Sequence, residues 1–489
     1  MKKEFLLNLA LLVGINLLIK PFYAFGIDLQ VQNRVGSEPY GLYFALLNFS
    51  YLFQIVSDMG LQQFNSRLVS QSPSTLEKYL PHILVLKGIL AIAFMGVAAI
   101  FALLLGYSGE QWQLLVFLLL NQIFITLVFF LRSNLSGLQF YRLDSLLSAL
   151  DKVLMILIMM FLLWGPWQAS FSIYWFVYAQ TTAFALTALV VWLVLYKKLK
   201  SPLRFKYQPK KFLYFLRKSY PYALAVFLMM TYTRVDAVML ERILGGTRGD
   251  YEAGVYGFGY RLLDAFNMIG YLFASLLLPM FARMLQKKES LGELLRTAFQ
   301  WMFFLTISLS FCMLFFGGDL TYWILKDAND YFVQVLILLV WSSNAVGLIY
   351  IAGPLLTAND SLKLMNRIFA MGLLLNVLLN AFLIPVYGAW GAAIATIGTQ
   401  GMVALAEVFL VFRLMPEVKK HFFWTDLLRL AILCMGLWLL YGAMFFYTDA
   451  YIDWRFAVII AGLGGLAWAE RIGFLELKGI IELFKSKRL

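Results

Sequence analysis

Charged side chains are scarce in this chain. They make up 14% of its 489 residues, against roughly 25% in a soluble domain. Histidine is nearly absent: His82 and His421 stand near the ends of apolar runs, which leaves no histidine-rich metal site. Cysteine is as rare. Cys312 and Cys434 both lie in apolar runs without CxxC spacing, so neither a thiol–metal site nor a disulfide framework is expected. The GxxxxGK[ST] phosphate loop is missing, which excludes an ATP site of that kind. Loops are short, with no room for an appended catalytic module. No cofactor and no metal are expected, and energy has to come from an ion gradient or from the substrate's own gradient.

What fills the chain is apolar sequence, 62% of all residues, with a mean hydropathy of +0.78. The length accommodates about fourteen spans of roughly 20 residues. They fall at 8–31, 40–61, 82–106, 113–132, 146–165, 173–196, 218–244, 254–281, 297–316, 332–357, 367–386, 389–412, 425–447 and 454–470. Met1-Lys2-Lys3 imitates a secretory signal, but the apolar run continues past Lys20 and Pro21 without a clean cleavage site, and reads as an uncleaved first span.

The net charge of +13 does not point to nucleic acid. With the N-terminus placed inside, about thirty of the basic residues fall in inside segments, as the positive-inside rule requires. Both termini are then cytoplasmic. The segment 197–217, rich in lysine, arginine and proline, reads as a cytoplasmic linker between an N-lobe (1–196, spans 1–6) and a C-lobe (218–412, spans 7–12). Spans 13–14 and a basic tail follow at 413–489. Trp112, Trp164, Trp167, Trp175, Trp323 and Trp454 lie near expected outer span ends, as in an interfacial belt.

An internal repeat supports the two lobes. Arg34, Glu38 and Gly41-x-Tyr43 are matched in order by Arg248, Glu252 and Gly254-x-Tyr256, with one deletion between Glu and Gly. In the same register Lys20 falls on Arg234. An even number of spans per copy gives both copies one orientation, related by an axis along the membrane normal. Such a duplication suits alternating access around a site near the midplane.

Intramembrane charges mark functional candidates by default. Lys20, Arg234 and Arg261 would make a cationic cleft suited to a phosphate or pyrophosphate. Asp236, Asp264 and Glu241 read either as ion-coupling groups or as structural partners of the arginines. Asp151, Lys152, Asn376 and Glu407 are weaker candidates, as is Asp58. Lys87 is expected to snorkel from the inner end of span 3. Asn376 and Asn380, on one helical face, fit an interhelical amide contact, and Gly388, Gly391, Ala392 and Ala393 a tight turn.

Three stretches carry a family resemblance. NRVGSEPYGLYFALLNFSYLFQIVSDMGLQQFNSR (33–67), YTRVDAVMLERIL…EAGVYGFGYRLLD (232–264) and NVLLNAFLIPVYGAWGAAIATIGTQ (376–400) resemble polysaccharide flippases of the multidrug/oligosaccharidyl-lipid/polysaccharide (MOP) exporter superfamily. The resemblance implies an all-α bundle of two six-helix lobes plus two extra helices. It also implies flipping of an undecaprenyl-pyrophosphate-linked oligosaccharide across a bacterial inner membrane, with membrane lipids and a polysaccharide polymerase as candidate partners. A lipid II flippase, an ion-coupled multidrug exporter and a membrane enzyme of polysaccharide assembly stand as alternatives.

Overall fold

The computed structural model describes residues 19, 22–62, 65, 69, 75–138, 140–199, 209–420, 424–448 and 452–475. Lys20 and Pro21 lie outside these residues. Among the described residues all regular structure is helical, and nine helices are long and apolar enough to cross a membrane. The reason is solvation: in hydrocarbon a backbone must satisfy its own N–H and C=O groups, and a helix does so within one segment. Large apolar side chains on the outer faces are exposed, as a lipid solvent permits; examples are Ile92, Leu104, Phe382, Phe409 and Phe446.

The chain divides into two compact units, Met1–Gly257 and Phe258–Leu489. The first opens with a π-helical turn, Ala24–Asp28, which runs into α1 (Leu29–Val35). Gly36, at φ 84°, breaks the helix before α2 (Ser37–Asp58). There follow α3 (Thr75–Leu104), α4 (Glu110–Gly137), α5 (Tyr141–Leu147), α6 (Leu150–Trp164), α7 (Ile173–Tyr196) and α8 (Pro209–Leu244). Helix α2 packs on α3, α4 and α8, while α4 and α6 pack on α7. An apolar cluster that includes Leu80, Ile83, Phe130, Leu131, Val191 and Phe215 closes one end.

Helix α9 (Gly246–Lys287) begins in the first unit and continues into the second. Its start meets α2 through the repeated glycines. A Cβ on Gly41 would stand 1.8 Å from the Asp250 carbonyl oxygen, and one on Gly254 would stand 2.0 Å from the Ser37 carbonyl oxygen. The contact is reciprocal: Ser37 and Gly41 of α2 meet Asp250 and Gly254 at the start of α9. Gln32 Nε2 donates to Gly254 O (3.3 Å) at the same junction.

The second unit adds α10 (Gly292–Ile324), α11 (Asp330–Ala358), α12 (Leu362–Leu414), the short α13 (Pro416–Lys419), α14 (Trp424–Thr448) and α15 (Trp454–Arg471). Helix α12 reverses at Gly388, whose φ 57° and ψ −133° are not helical. Its two arms, 362–387 and 389–414, pack face to face. Gly391 is tight against Leu383, and Gly372 against Val403. The turn expected at Gly388–Ala393 is therefore present. Helix α11 packs on α10 and α12, and α14 and α15 pack on each other and on α10.

Candidate functional site

In the first unit, α6 and α8 each bring a cation over aromatic rings. The Arg234 guanidinium on α8 lies 5.5 Å from the ring centre of Tyr51 on α2. The Lys152 ammonium stands 4.6 Å over the ring of Tyr23, beside the π-helical turn, and 5.3 Å over Phe184. Its Nζ is 3.3 Å from Asp151 Oδ2. Both cations thus lie against aromatic faces, which attract positive charge, and Lys152 is in addition paired with Asp151. Sequence order ranked Lys152 low because Asp151 beside it suggested a closed interfacial pair. The pair with Asp151 is present, and the fold in addition lays the ammonium over Tyr23 and Phe184.

The acids near this site have defined partners. Asp236, 1% exposed, accepts a hydrogen bond from Tyr256 OH at 2.7 Å. Asp28, which sequence reading missed, is equally buried and accepts from Tyr40 OH at 3.3 Å. It sits in the π-helical turn, a local distortion common at functional positions. In sequence it is masked by neighbouring Gln30, Gln32 and Asn33, which read as a polar span end. Glu241 lies at the end of α8. It takes hydrogen bonds from Arg242, Tyr107 OH (3.2 Å) and Gln111 Nε2 (3.2 Å), and Arg242 stacks 3.7 Å over the Tyr107 ring. Arg242 also donates to Leu105 O (2.8 Å). These contacts tie the α3–α4 turn to α8, a structural clamp.

One expectation needs correction. Lys87 does not snorkel. It is 6% exposed and pairs with Asp58 at 2.7 Å, because α2 runs beside α3 and supplies a carboxylate within the bundle. Buried amides continue the polar interior of this unit. Gln180 Nε2 donates to Tyr43 OH (2.8 Å) and Gln122 Nε2 to Ser50 Oγ (3.1 Å).

In the second unit, Arg261 and Asp264 are half-buried on α9. Asn376 and Asn380 are fully buried, and Asn380 Nδ2 donates to Asn376 Oδ1 at 3.1 Å. Glu407 is fully buried on the second arm of α12. Helices α9, α10, α11, α14 and α15 border an open-sided cavity of about 430 Å³, lined mainly by apolar side chains including Phe266, Met302, Leu305, Tyr350, Val458 and Leu466. Its polar fringe is partly satisfied within itself, Ser308 Oγ and Tyr441 OH lying 2.9 Å apart. The cavity left no mark in the sequence, since five helices distant along the chain contribute to it.

The arrangement offers cations over aromatic rings in one unit and an apolar cavity in the other.

Comparison with known proteins agrees with this architecture. An uncharacterized membrane protein of Methanocaldococcus jannaschii is 24% identical over 404 residues, covering 79% of this chain and 92% of the relative. Among solved structures, the lipid II flippase MurJ in an inward closed conformation superposes with a TM-score of 0.70 at 17% identity. That match covers 93% of this chain and 98% of the other. An inward-facing multidrug resistance MATE family transporter of the MOP superfamily superposes with a TM-score of 0.62 at 15% identity, covering 83% and 96%. Residues 7–285 match the model of a family described as polysaccharide biosynthesis protein. The chain therefore belongs to the polysaccharide biosynthesis protein family and shares its fold with those two transporters.

Proposed function

We propose that this protein flips an oligosaccharide linked to undecaprenyl pyrophosphate from the cytoplasmic to the outer leaflet of a bacterial inner membrane. In this reading it is a transporter and not an enzyme. The lobes 1–196 and 218–412 alternate access, and the termini stay cytoplasmic. The observation that carries the reading is the pair of membrane-embedded cations of the first unit, Arg234 over the Tyr51 ring and Lys152 over the Tyr23 and Phe184 rings. Charge-assisted contacts to phosphate strengthen in such a low-dielectric setting. Arg261 and Lys20 are assigned to the same anion-binding role, on the strength of the repeat and of their place in membrane spans. The apolar cavity of the second unit suits part of a polyprenyl tail, since burial of apolar surface supplies affinity without charge. Family membership supports a polysaccharide precursor as the cargo.

A second reading, a lipid II flippase, draws support from the fold match to that transporter. Both cargoes share a pyrophosphate and a polyprenyl tail, so the same residues would serve.

The test is reconstitution in proteoliposomes with a fluorescent lipid-linked oligosaccharide and, in parallel, with fluorescent lipid II. Leaflet exchange of the oligosaccharide, lost in Arg234→Gln and Lys152→Gln, is expected. Exchange of lipid II alone would move the assignment to the second reading. Undiminished exchange in both variants would remove the cations from the site.

A further inference from the structure

Glu407 stands apart from the acids described so far. Both of its carboxyl oxygens are buried, and among the described residues neither has a hydrogen-bond partner. Its residue exposure is 0%. A carboxylate in that position would have lost its water and gained no replacement, which is among the least favourable states for a charge. No charged neighbour among the described residues acts on it.

The surroundings explain what the group can hold. Helix α11 presents Gly353: a Cβ there would stand 3.7 Å from Glu407 Oε2, 4.0 Å from Oε1 and 3.9 Å from the Met365 methyl of the opening arm of α12. Neither Gly353 nor Met365 titrates. The nearby Thr357 hydroxyl is spent on Gly353 O at 2.8 Å. A metal cation needs several converging oxygen ligands. Among the described residues no cluster of three or more His, Cys, Asp or Glu side chains exists to hold one. A proton needs only the carboxyl itself.

Helix α11 is also weakened where it meets the acid. Pro354 brings no N–H to the Tyr350 carbonyl four residues back, and helices kink at such positions. Gly353 before it has no side chain to close the gap. The acid thus lies against the point of α11 best able to bend and admit water.

We propose that Glu407 is a proton-binding site of the second unit, neutral while α11 is packed against it and exchanging its proton with water when α11 bends at Gly353–Pro354. Proton exchange during transport rests on the flippase reading above; the protonated state of the acid does not.

Infrared difference spectroscopy of the whole protein in lipid nanodiscs tests it, following the carbonyl stretch of protonated carboxylic acids from mildly acidic to alkaline pH. A band present in the wild type at neutral pH and lost in Glu407→Gln is expected. Gly353→Ala adds a methyl at ordinary contact distance, keeps water out, and should carry the band to higher pH. Identical spectra for wild type and Glu407→Gln would overturn the site. Glu407→Gln should also keep the wild-type thermal stability, because it mimics the neutral acid; a large loss would mean a carboxylate with an ionic partner and would overturn it too. In proteoliposomes, an imposed pH gradient should change the flipping rate of the wild type and not that of Glu407→Gln. Equal responses would overturn the exchange. If no labelled lipid moves in the wild type, the substrate reading fails while the infrared result still decides the site.

Discussion

Replacing Gly41 by alanine tests the repeat contact most sharply. The new Cβ would stand 1.8 Å from Asp250 O and 2.5 Å from Gly254 N. Carbon and oxygen in close contact stand about 3.3–3.6 Å apart. Helix α2 and the start of α9 must therefore separate by about 1.5 Å. Both obstructing atoms are backbone, so no rotamer change relieves the clash. Overpacking of this kind costs about 1–3 kcal/mol, and this case belongs at the upper end. The separation also stretches the Gln32–Gly254 hydrogen bond, worth about 1 kcal/mol. Gly254→Ala meets the mirror-image obstacle, 2.0 Å from Ser37 O, and should cost a similar amount. The double variant should cost less than the sum, because one separation relieves both clashes; contacting residues couple by about 0.5–3 kcal/mol. Gly96→Ala is the control. It is exposed on α3 with nothing near its Cβ, and should be neutral or stabilise by about 0.5–1 kcal/mol. The assay is apparent melting of purified protein in detergent at a fixed scan rate, because membrane-protein unfolding is often irreversible. If Gly41→Ala melts like Gly96→Ala, or if the two glycine costs simply add, the reciprocal contact is not what holds α2 to α9.

Other expectations follow from the same geometry. Lys87→Met strands the Asp58 carboxylate and should destabilise by about 3–5 kcal/mol, whereas adding Asp58→Asn should recover most of that in the same melting assay. Tyr107→Phe removes one hydrogen bond from Glu241 and should cost about 1 kcal/mol, while Glu241→Leu should cost more by leaving Gln111 and Arg242 without their acceptor. Gly462→Leu points a side chain into the apolar cavity, where a Cβ meets nothing closer than the Tyr441 hydroxyl at 3.8 Å. It should slow lipid flipping in proteoliposomes without lowering the melting temperature, and unchanged flipping would remove the cavity from the tail-binding role.

Fold class was legible from the first because the driving forces are local. A run of apolar residues long enough to cross a bilayer becomes a helix wherever it sits, since only a helix satisfies its backbone there. The turn at Gly388 was readable for the same reason: a positive φ asks for glycine. The close approach of Gly41 and Gly254 to the facing backbone was found only in the fold.

Charges were harder. Arg234 and Asp236 were visible as intramembrane residues, but their partners Tyr51 and Tyr256 were not, since a tyrosine in an apolar run looks like any other span residue. Lys87 and Asp58 belong to different helices, and nothing in their spacing announces that α2 and α3 lie side by side. Asp28 was hidden by polar neighbours, although the fold buries it. The sequence by itself determined that the chain crosses a membrane many times and carries ionisable groups inside its spans; each of these depends on neighbours along the chain. Only the tertiary structure decided which charge is clamped, which faces an aromatic ring, and that Glu407 is shut away without a hydrogen-bond partner among the described residues. Those outcomes depend on side chains that meet across helices, where burial and distance set the cost of a charge.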